Sequence, residues 1–489
     1  MNLELTARER TLLWWVLALA LAVRVATLGA YPLLDPSESR YAEIARKMLE
    51  SGDWLTPQFA YGVPFWGKPP LSFWLTALSM QVFGVNEFAA RLPSLLLVVA
   101  TGLVVWRMAA RRAGRDAALL AATVFGTMGL VFISAGTVLT DMALLLGTSL
   151  AMAGFWHAVA EDARLRGNVA FFAGLAIGLL AKGPVGVVLT VLPLAAWVVA
   201  QRAWRPAWLR VHWLAGSAAL ALVVVPWYAA AERATPGFLE YFLIGEHWQR
   251  FTQPGWTGDR YGTGHAWPRG TIWLFWLAAA VPWSVVMLDW LVRCAKAPRA
   301  ALRARTADPF WRYLAAWTLA PLLFFTLARN VLPSYVLPGL PAFALLVAFG
   351  PFAGAAPRAL DRAERRGLVA STLLAAAFAI AVVALHDRVD RDYAQRGLVR
   401  AFVALRGDSD ARLAYYGDAP VSAEFYSAGR AQRVADAPAL GAYLADPRLD
   451  FVAMRESDAD KLSGDQRVRL AAVGRFGEFD LYREVPGPR

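Results

Sequence analysis

Cysteine is almost missing from this chain: Cys294 is alone among 489 residues, which excludes an intrachain disulfide framework. Histidine is nearly as scarce, with five in all, and no HxH, HExxH or paired-cysteine spacing marks a metal site. No glycine-rich nucleotide loop is present, because Gly183 and Gly186 after Lys182 do not form a P-loop. That absence fits chemistry carried out where no nucleotide pool exists. There is no internal repeat and no low-complexity segment. Nor is there a basic groove interleaved with aromatics, so the net charge of +12 does not point to nucleic acid. The arginines fall instead in short clusters between apolar runs, the distribution that the positive-inside rule produces.

What the chain does have is apolar length. The apolar share is 58%, well above the roughly 45–50% of soluble domains. Length alone would suggest several soluble domains, but hydrocarbon as the solvent explains the composition better. Spans are expected near 11–30, 92–110, 117–134, 141–160, 169–182, 184–200, 211–230, 271–292, 311–327, 334–352 and 367–385. The first run exceeds a signal-peptide core and is read as a retained helix. Threading the chain through eleven spans puts every basic cluster on one side. These are Arg8 and Arg10; Arg107, Arg111, Arg112 and Arg115; Arg164 and Arg166; Arg202, Arg205 and Arg210. Arg293, Lys296, Arg299, Arg303 and Arg305 follow, then Arg358, Arg362, Arg365 and Arg366. That side is the cytoplasm, and it holds the N-terminus.

The opposite side receives two long loops, 31–91 and 231–270, and a tail from about 386. The first loop contains a helical stretch at 39–50 and an apolar run at 71–83, which suits the membrane interface. The tail alternates β-like runs (413–416, 451–454, 470–476, 479–482) with helical ones (398–405, 437–444). The expected organisation is a polytopic α-helical membrane domain, 1–385, followed by a small mixed α/β domain outside the membrane, 386–489.

The candidate functional groups gather on that outer side: Asp35, Glu38, Arg40, Lys68, Asp141, Lys182, Glu246, Arg250, His265, Arg329 and Tyr335. Ionisable groups at helix ends near a membrane are costly unless paired or used. Asp141 opens a helix after Thr140, where it serves as a first-turn carboxylate, as a base facing a cavity, or as both. Lys68 lies in Phe-Trp-Gly-Lys-Pro-Pro and either snorkels to water or offers a phosphate a compact charge with three donors. Arg40 and Arg250 share that ambiguity. Tyr335, in Leu-Pro-Ser-Tyr-Val-Leu-Pro, reads most simply as an interfacial aromatic, and His265 as an ordinary loop histidine.

Several ordered segments carry a resemblance. They are Ser-Glu-Ser-Arg-Tyr-Ala-Glu-Ile-Ala-Arg (37–46), Gly-Asp-Trp-Leu-Thr-Pro (52–57), Lys-Pro-Pro-Leu (68–71) and Phe-Gly-Val-Asn-Glu-Phe-Ala-Ala-Arg-Leu-Pro-Ser (83–94). Thr-Asp-Met (140–142), Ala-Lys-Gly-Pro (181–184), Glu-His-Trp-Gln-Arg-Phe (246–251), His-Ala-Trp-Pro (265–268) and Leu-Pro-Ser-Tyr-Val-Leu-Pro (332–338) follow in order. From about residue 30 to 350 the chain resembles GT-C glycosyltransferases of the bacterial aminoarabinose-transferase and protein-mannosyltransferase-related group. The resemblance implies a cavity in the bacterial inner membrane, a polyprenyl-phosphate sugar donor, and an envelope acceptor such as lipid A, another glycan or a protein. It implies that Lys68 binds the donor phosphate with Arg40 and Tyr335 nearby, and that Asp141 matches the family's second acidic position. Ser37-Glu38 stands where relatives often have Asp-Glu, so Asp35 or Glu38 is the substitute carboxylate. Gly67 replaces an acidic residue suspected of metal contact, so no metal or other cofactor is expected. Arg329 remains of a basic pair whose second member is Val331 here.

The expected reaction is a single displacement with inversion. Lys68 and Arg40 stabilise the departing phosphate, and Asp35 or Asp141 acts as base where the acceptor carries a proton. A transporter or flippase of lipid-linked sugars is the competing reading. It calls for pseudo-symmetric halves with polar groups at mid-membrane, and neither is visible in the sequence. A non-catalytic sensor would not need charged residues spread over four loops.

Overall fold

The computed structural model describes residues 3–485 except 162, 263–264, 297–306, 351–357 and 447. Arg299, Arg303 and Arg305 of the basic clusters therefore lie outside the described residues. The chain is a helical bundle carrying a small sheet domain at its C-terminal end. Helix α1 (Ala7–Thr27) starts at a capping box in which Thr6 and Glu9 satisfy each other's backbone N–H. The first loop holds α2 (Ser37–Ser51), a short hairpin of β1 (Gln58–Ala60) and β2 (Val63–Pro64), and α3 (Leu71–Phe83). Next come α4 (Glu87–Thr127), α5 (Gly129–Ser134), α6 (Asp141–Val159), α7 (Arg164–Lys182), α8 (Pro184–Gln201) and α9 (Trp213–Ala234). A nine-residue π-helix, Tyr241–Gln249, leads into the second long loop. The bundle ends with α10 (Thr271–Ala279), α11 (Trp283–Lys296), α12 (Pro309–Thr326), a 3-10 turn (Pro333–Gly339), α13 (Leu340–Phe349) and α14 (Arg362–Ala384).

Each expected span has a helical counterpart, yet the tally differs. Among the described residues seven helices are long and apolar enough to cross a membrane, or eight if one bent pair forms a single span. The segments expected at 92–110 and 117–134 share α4, which breaks where Ala113 and Gly114 leave helical geometry, Gly114 at φ 83°. The expected span 271–292 is that bent pair, α10 and α11, which meet at 108° around Pro282. The 334–352 segment is divided near Pro338, which lacks the N–H that a continuous helix needs, into the 3-10 turn and α13, and its last two positions lie outside the described residues.

The two ends of the bundle differ in character. One gathers the arginine clusters and ties them together by ion pairs: Arg10–Asp116 at 2.8 Å, Arg112–Asp308 at 3.1 Å and Arg365–Glu9 at 3.0 Å. The other carries the first loop and the sheet domain. That domain contains α15 (Arg396–Arg406), β3 (Leu413–Tyr416), α16 (Val421–Tyr426), β4 (Ala431–Val434), α17 (Ala437–Tyr443), β5 (Phe451–Arg455), β6 (Leu470–Phe476) and β7 (Phe479–Glu484). Its strand order is β4-β3-β5-β7-β6, with β3 parallel to both neighbours and β7 antiparallel to both of its own. The sequence missed β4, a polar edge strand whose Ala-Gln-Arg-Val leaves only Val434 buried. The domain docks on the first loop through Lys47–Glu424 at 2.8 Å and Arg396–Glu87 at 3.0 Å.

At the centre, α6 and α7 form an antiparallel hairpin packed backbone against backbone. A Cβ built on Gly154 would lie 2.4 Å from the Phe171 nitrogen, and one on Gly174 2.4 Å from the Ala151 nitrogen. Only glycine permits such an approach, the means by which helices associate when lipid removes the hydrophobic drive. Because the helices run in opposite directions, this contact brings Asp141 at the start of α6 beside Lys182 at the end of α7. Gly154→Val should overpack the contact by about 1–3 kcal/mol or more. The expected result is a lower thermal midpoint of the purified protein together with lost activity; an unchanged midpoint would refute this account of the packing.

Candidate active site

A cavity of about 360 Å³ opens between the hairpin, the π-helix and the 3-10 turn. Its walls are largely apolar, with Val185, Val188, Leu189, Phe251, Phe324 and Phe325 among them, and its polar groups converge at one end. Lys68, Asp141, Lys182, Glu246, Arg250 and Tyr335 all line it, although they come from five separate stretches of the sequence. Each is delivered by a local constraint. Lys68 sits in a turn between β2 and α3, flanked by Gly67 and Pro69. A Cβ at Gly67 would come within 2.8 Å of the Phe65 ring, so no side chain fits at this point of the turn without movement of that ring. Gly183 adopts φ 77° after Lys182, and a Cβ there would strike Phe242 at 2.5 Å. Trp317 donates to the Pro338 carbonyl at 2.7 Å and holds the turn that presents Tyr335.

The charges are paired across the cavity. Lys182 Nζ is 2.6 Å from Asp141 Oδ1 and 4.9 Å from the centre of the Tyr335 ring. Lys68 Nζ meets Glu246 Oε2 at 3.0 Å, and Arg250 Nη1 meets Glu246 Oε1 at 3.2 Å and Asp259 Oδ2 at 3.0 Å. Burial alone would lower the Lys68 pKa, but the Glu246 carboxylate outweighs it and holds the ammonium above its usual range. Burial would likewise raise Glu246, yet Lys68 and Arg250 keep it below the usual carboxylate range. The outcome is a set of fixed ionic charges against an apolar wall, where solvent screens them little.

Two of the carboxylates proposed from sequence are employed elsewhere. Glu38 is 4% exposed and forms a two-point ion pair with Arg91, which is fully buried. Arg91 also donates to the carbonyls of Leu28, Tyr31 and Pro32, so all five of its N–H groups are satisfied. Glu38 in turn accepts from the backbone N–H of Val138 at 3.1 Å, three residues before Asp141. Tyr31 donates to the Gly136 carbonyl at 2.8 Å in the same turn. Glu38 thus positions the entry to α6 and does not reach the cavity. Asp35 accepts from Ser39 at 2.5 Å and from the Ser422 backbone at 2.9 Å, and joins the first loop to the sheet domain. Burial pushes its carboxyl up despite these donors.

Three more expected residues stand off the cavity. Arg40 lies over the Phe59 ring at 5.8 Å, with a buried Nε that finds no hydrogen-bond partner among the described residues. His265 is exposed, and its carbonyl accepts from Val331 at 3.1 Å. Arg329 donates its backbone N–H to Phe251 at 3.0 Å. His247 and Trp248, which the sequence places in the second long loop without a role, and Asn330, which it does not mark, also line the cavity. His247 is wedged between the carbonyls of Phe242 at 2.7 Å and Lys182 at 3.1 Å. Asn330 holds the carbonyls of Arg250 and Gln253 at 2.6 and 2.8 Å. His247 was readable from its place beside Glu246, whereas Asn330 and the Asp259 contact to Arg250 had no local signal.

Removing one partner of a buried ion pair strands the other, at a cost of about 3–5 kcal/mol. Glu38→Ala should therefore lower the thermal midpoint sharply. Asp35→Ala should instead leave the bundle folded and speed protease release of the sheet domain. Equal behaviour of the two variants in paired melting and proteolysis assays would refute the separate roles.

Residues 10–242 match the family described as dolichyl-phosphate-mannose-protein mannosyltransferase. An undecaprenyl phosphate-alpha-4-amino-4-deoxy-L-arabinose arabinosyl transferase of Erwinia tasmaniensis is 33% identical over 65% of this chain and 55% of its own length. The first such enzyme of Pseudomonas fluorescens is also 33% identical, over 70% of this chain and 58% of its own. The chain thus spans little more than half the length of the curated relatives it matches. The crystal structure of ArnT from Cupriavidus metallidurans bound to undecaprenyl phosphate superposes with a TM-score of 0.76 at 22% identity, covering 97% of this chain and 99% of that one. The helical bundle, with seven helices among the described residues long and apolar enough to cross a membrane, therefore has the fold of ArnT, and in sequence the chain is similar to the bacterial aminoarabinose transferases and, over residues 10–242, to the protein-mannosyltransferase family.

Proposed function

We propose that the protein transfers a sugar from a polyprenyl-phosphate carrier to an acceptor in the bacterial envelope, on the periplasmic side of the inner membrane. The observation that carries this reading is one cavity in which an apolar wall ends at three cations, Lys68, Lys182 and Arg250. A polyprenyl phosphate has the same division, a long hydrocarbon with an anionic head. The relatives named for undecaprenyl-phosphate-linked aminoarabinose support the same substrate class. The arginine clusters at the opposite end of the bundle support a cytoplasmic N-terminus, with loops 31–91 and 231–270 and the tail from 386 in the periplasm.

The chemistry follows from the leaving group. A glycosyl phosphate is already activated, so the protein must stabilise charge as the C–O bond to phosphate breaks and must orient the acceptor behind the anomeric carbon. Lys68 and Arg250 supply positive charge for the departing phosphate from positions set by the fold. Tyr335 lies beside them, with its ring under Lys182. Of the three candidate catalytic carboxylates Asp141 is the one that lines the cavity, where it takes up a hydroxyl proton from the acceptor or, for a phosphate acceptor that is already ionised, orients the sugar through Lys182. A single displacement inverts the anomeric carbon.

Comparative mass spectrometry of envelope lipids, glycans and glycoproteins tests the reading. A deletion strain should lose one sugar-sized mass from a defined acceptor. Lys68→Ala and Asp141→Ala should fail to restore it at normal membrane levels, with a loss of at least a hundredfold expected of groups that stabilise the transition state. Full restoration by both variants would place the reaction elsewhere in the molecule.

A further inference from the structure

Glu246 holds both cations on which the proposed reaction depends. Its side chain is 4% exposed, and its carboxylate engages Lys68 at 3.0 Å and Arg250 at 3.2 and 3.3 Å. Tyr241 adds a hydroxyl at 3.4 Å. On the other faces of the cluster, Asp259 neutralises Arg250 and Asp141 neutralises Lys182. The cationic end of the cavity is therefore already matched, charge for charge, by carboxylates of the chain itself. An incoming phosphate meets occupied cations.

The carrier's own chemistry gives this arrangement a purpose. The donor is a phosphodiester with one negative charge. The spent carrier is a monoester, which carries about −1.5 to −2 at neutral pH as phosphomonoesters do. Bare cations in an apolar pocket would hold the product more tightly than the substrate and stall turnover. Glu246 also rides on the π-helix Tyr241–Gln249, a geometry with a wider turn than its α-helical neighbours and frequent at functional sites. The Arg250 carbonyl just beyond it is anchored by Asn330.

Resting on the reading that this cavity takes polyprenyl phosphate, we propose that Glu246 is a built-in competitor for the carrier phosphate. It keeps Lys68 and Arg250 in place in the empty site, yields them when donor binds, and regains them to expel the spent carrier. Glu246 is thus a positioning residue that sets product affinity, and no covalent bond to it forms or breaks.

The test is titration of the purified full-length protein with undecaprenyl phosphate, read by tryptophan fluorescence, since Trp248 lines the cavity. Glu246→Gln removes the competing charge while keeping the shape, and should tighten binding about tenfold, or 1.4 kcal/mol. Glu246→Asp, which withdraws the charge by one methylene, should give a smaller gain; it serves as the second reading should the first variant fold poorly. Lys68→Ala should weaken binding. In steady state, Glu246→Gln should lower both kcat and KM, the signature of slowed product release. Equal or weaker binding in the Glu246 variants, with Lys68→Ala still impaired, would overturn the competitor and leave the phosphate cavity standing. Wild-type binding by Lys68→Ala would overturn the cavity reading itself, and the competitor with it.

Discussion

The buried pair of Arg91 and Glu38 is the constraint on which the rest of the site depends. A guanidinium with no solvent exposure is tolerable only when every N–H is spent, and Arg91 spends all five on Glu38 and on three backbone carbonyls of the segment after α1. Its plane also lies 3.8 Å from the centre of the Tyr31 ring. Glu38 passes this rigidity on, because the same carboxylate fixes the turn before Asp141. One ion pair thereby ties the end of α1, the start of α2, the start of α4 and the entry to α6. Such a pair adds little to net stability compared with apolar packing, but it specifies one arrangement of four chain segments.

The cavity lies where three different packing solutions meet. Glycine-mediated contact sets the α6–α7 hairpin and with it the Asp141–Lys182 pair. A proline-rich 3-10 turn, held by Trp317, presents Tyr335. A π-helix brings Glu246, His247 and Trp248 to the opposite wall. None of these is a loop free to wander, and a cluster of charges held against an apolar wall calls for that rigidity. Charges here are worth most when they are already in place, because moving them during the reaction would cost what their fixed field supplies.

Much of this was legible in the sequence, for identifiable reasons. Lys68 and Lys182 stand in Lys-Pro-Pro and Lys-Gly-Pro turns, and residues that restrict the backbone reveal where a side chain is held. Glu246 and Arg250 are four apart, so their contact was local. The helix at 71–83 follows from its apolar run between Pro70 and Gly84. Other features carried no such mark. The role of Glu38 requires Arg91, 53 positions later, and that of Asp35 requires Ser422, 387 positions away. Both carboxylates sit in the first loop beside the other candidates, and only their distant partners show that neither lines the cavity.

The sequence by itself determined that the chain lives in a membrane, that its basic clusters share one end, and that its candidate groups share the other. Those properties depend on composition and on one-dimensional spacing, which hydrocarbon and charge read directly along the chain. Tertiary structure alone decided which of the clustered ionisable groups face a common cavity and which are buried in ion pairs. That choice is made by contacts between distant segments, where desolvation forces each charge to find a partner and the geometry of the fold selects which one.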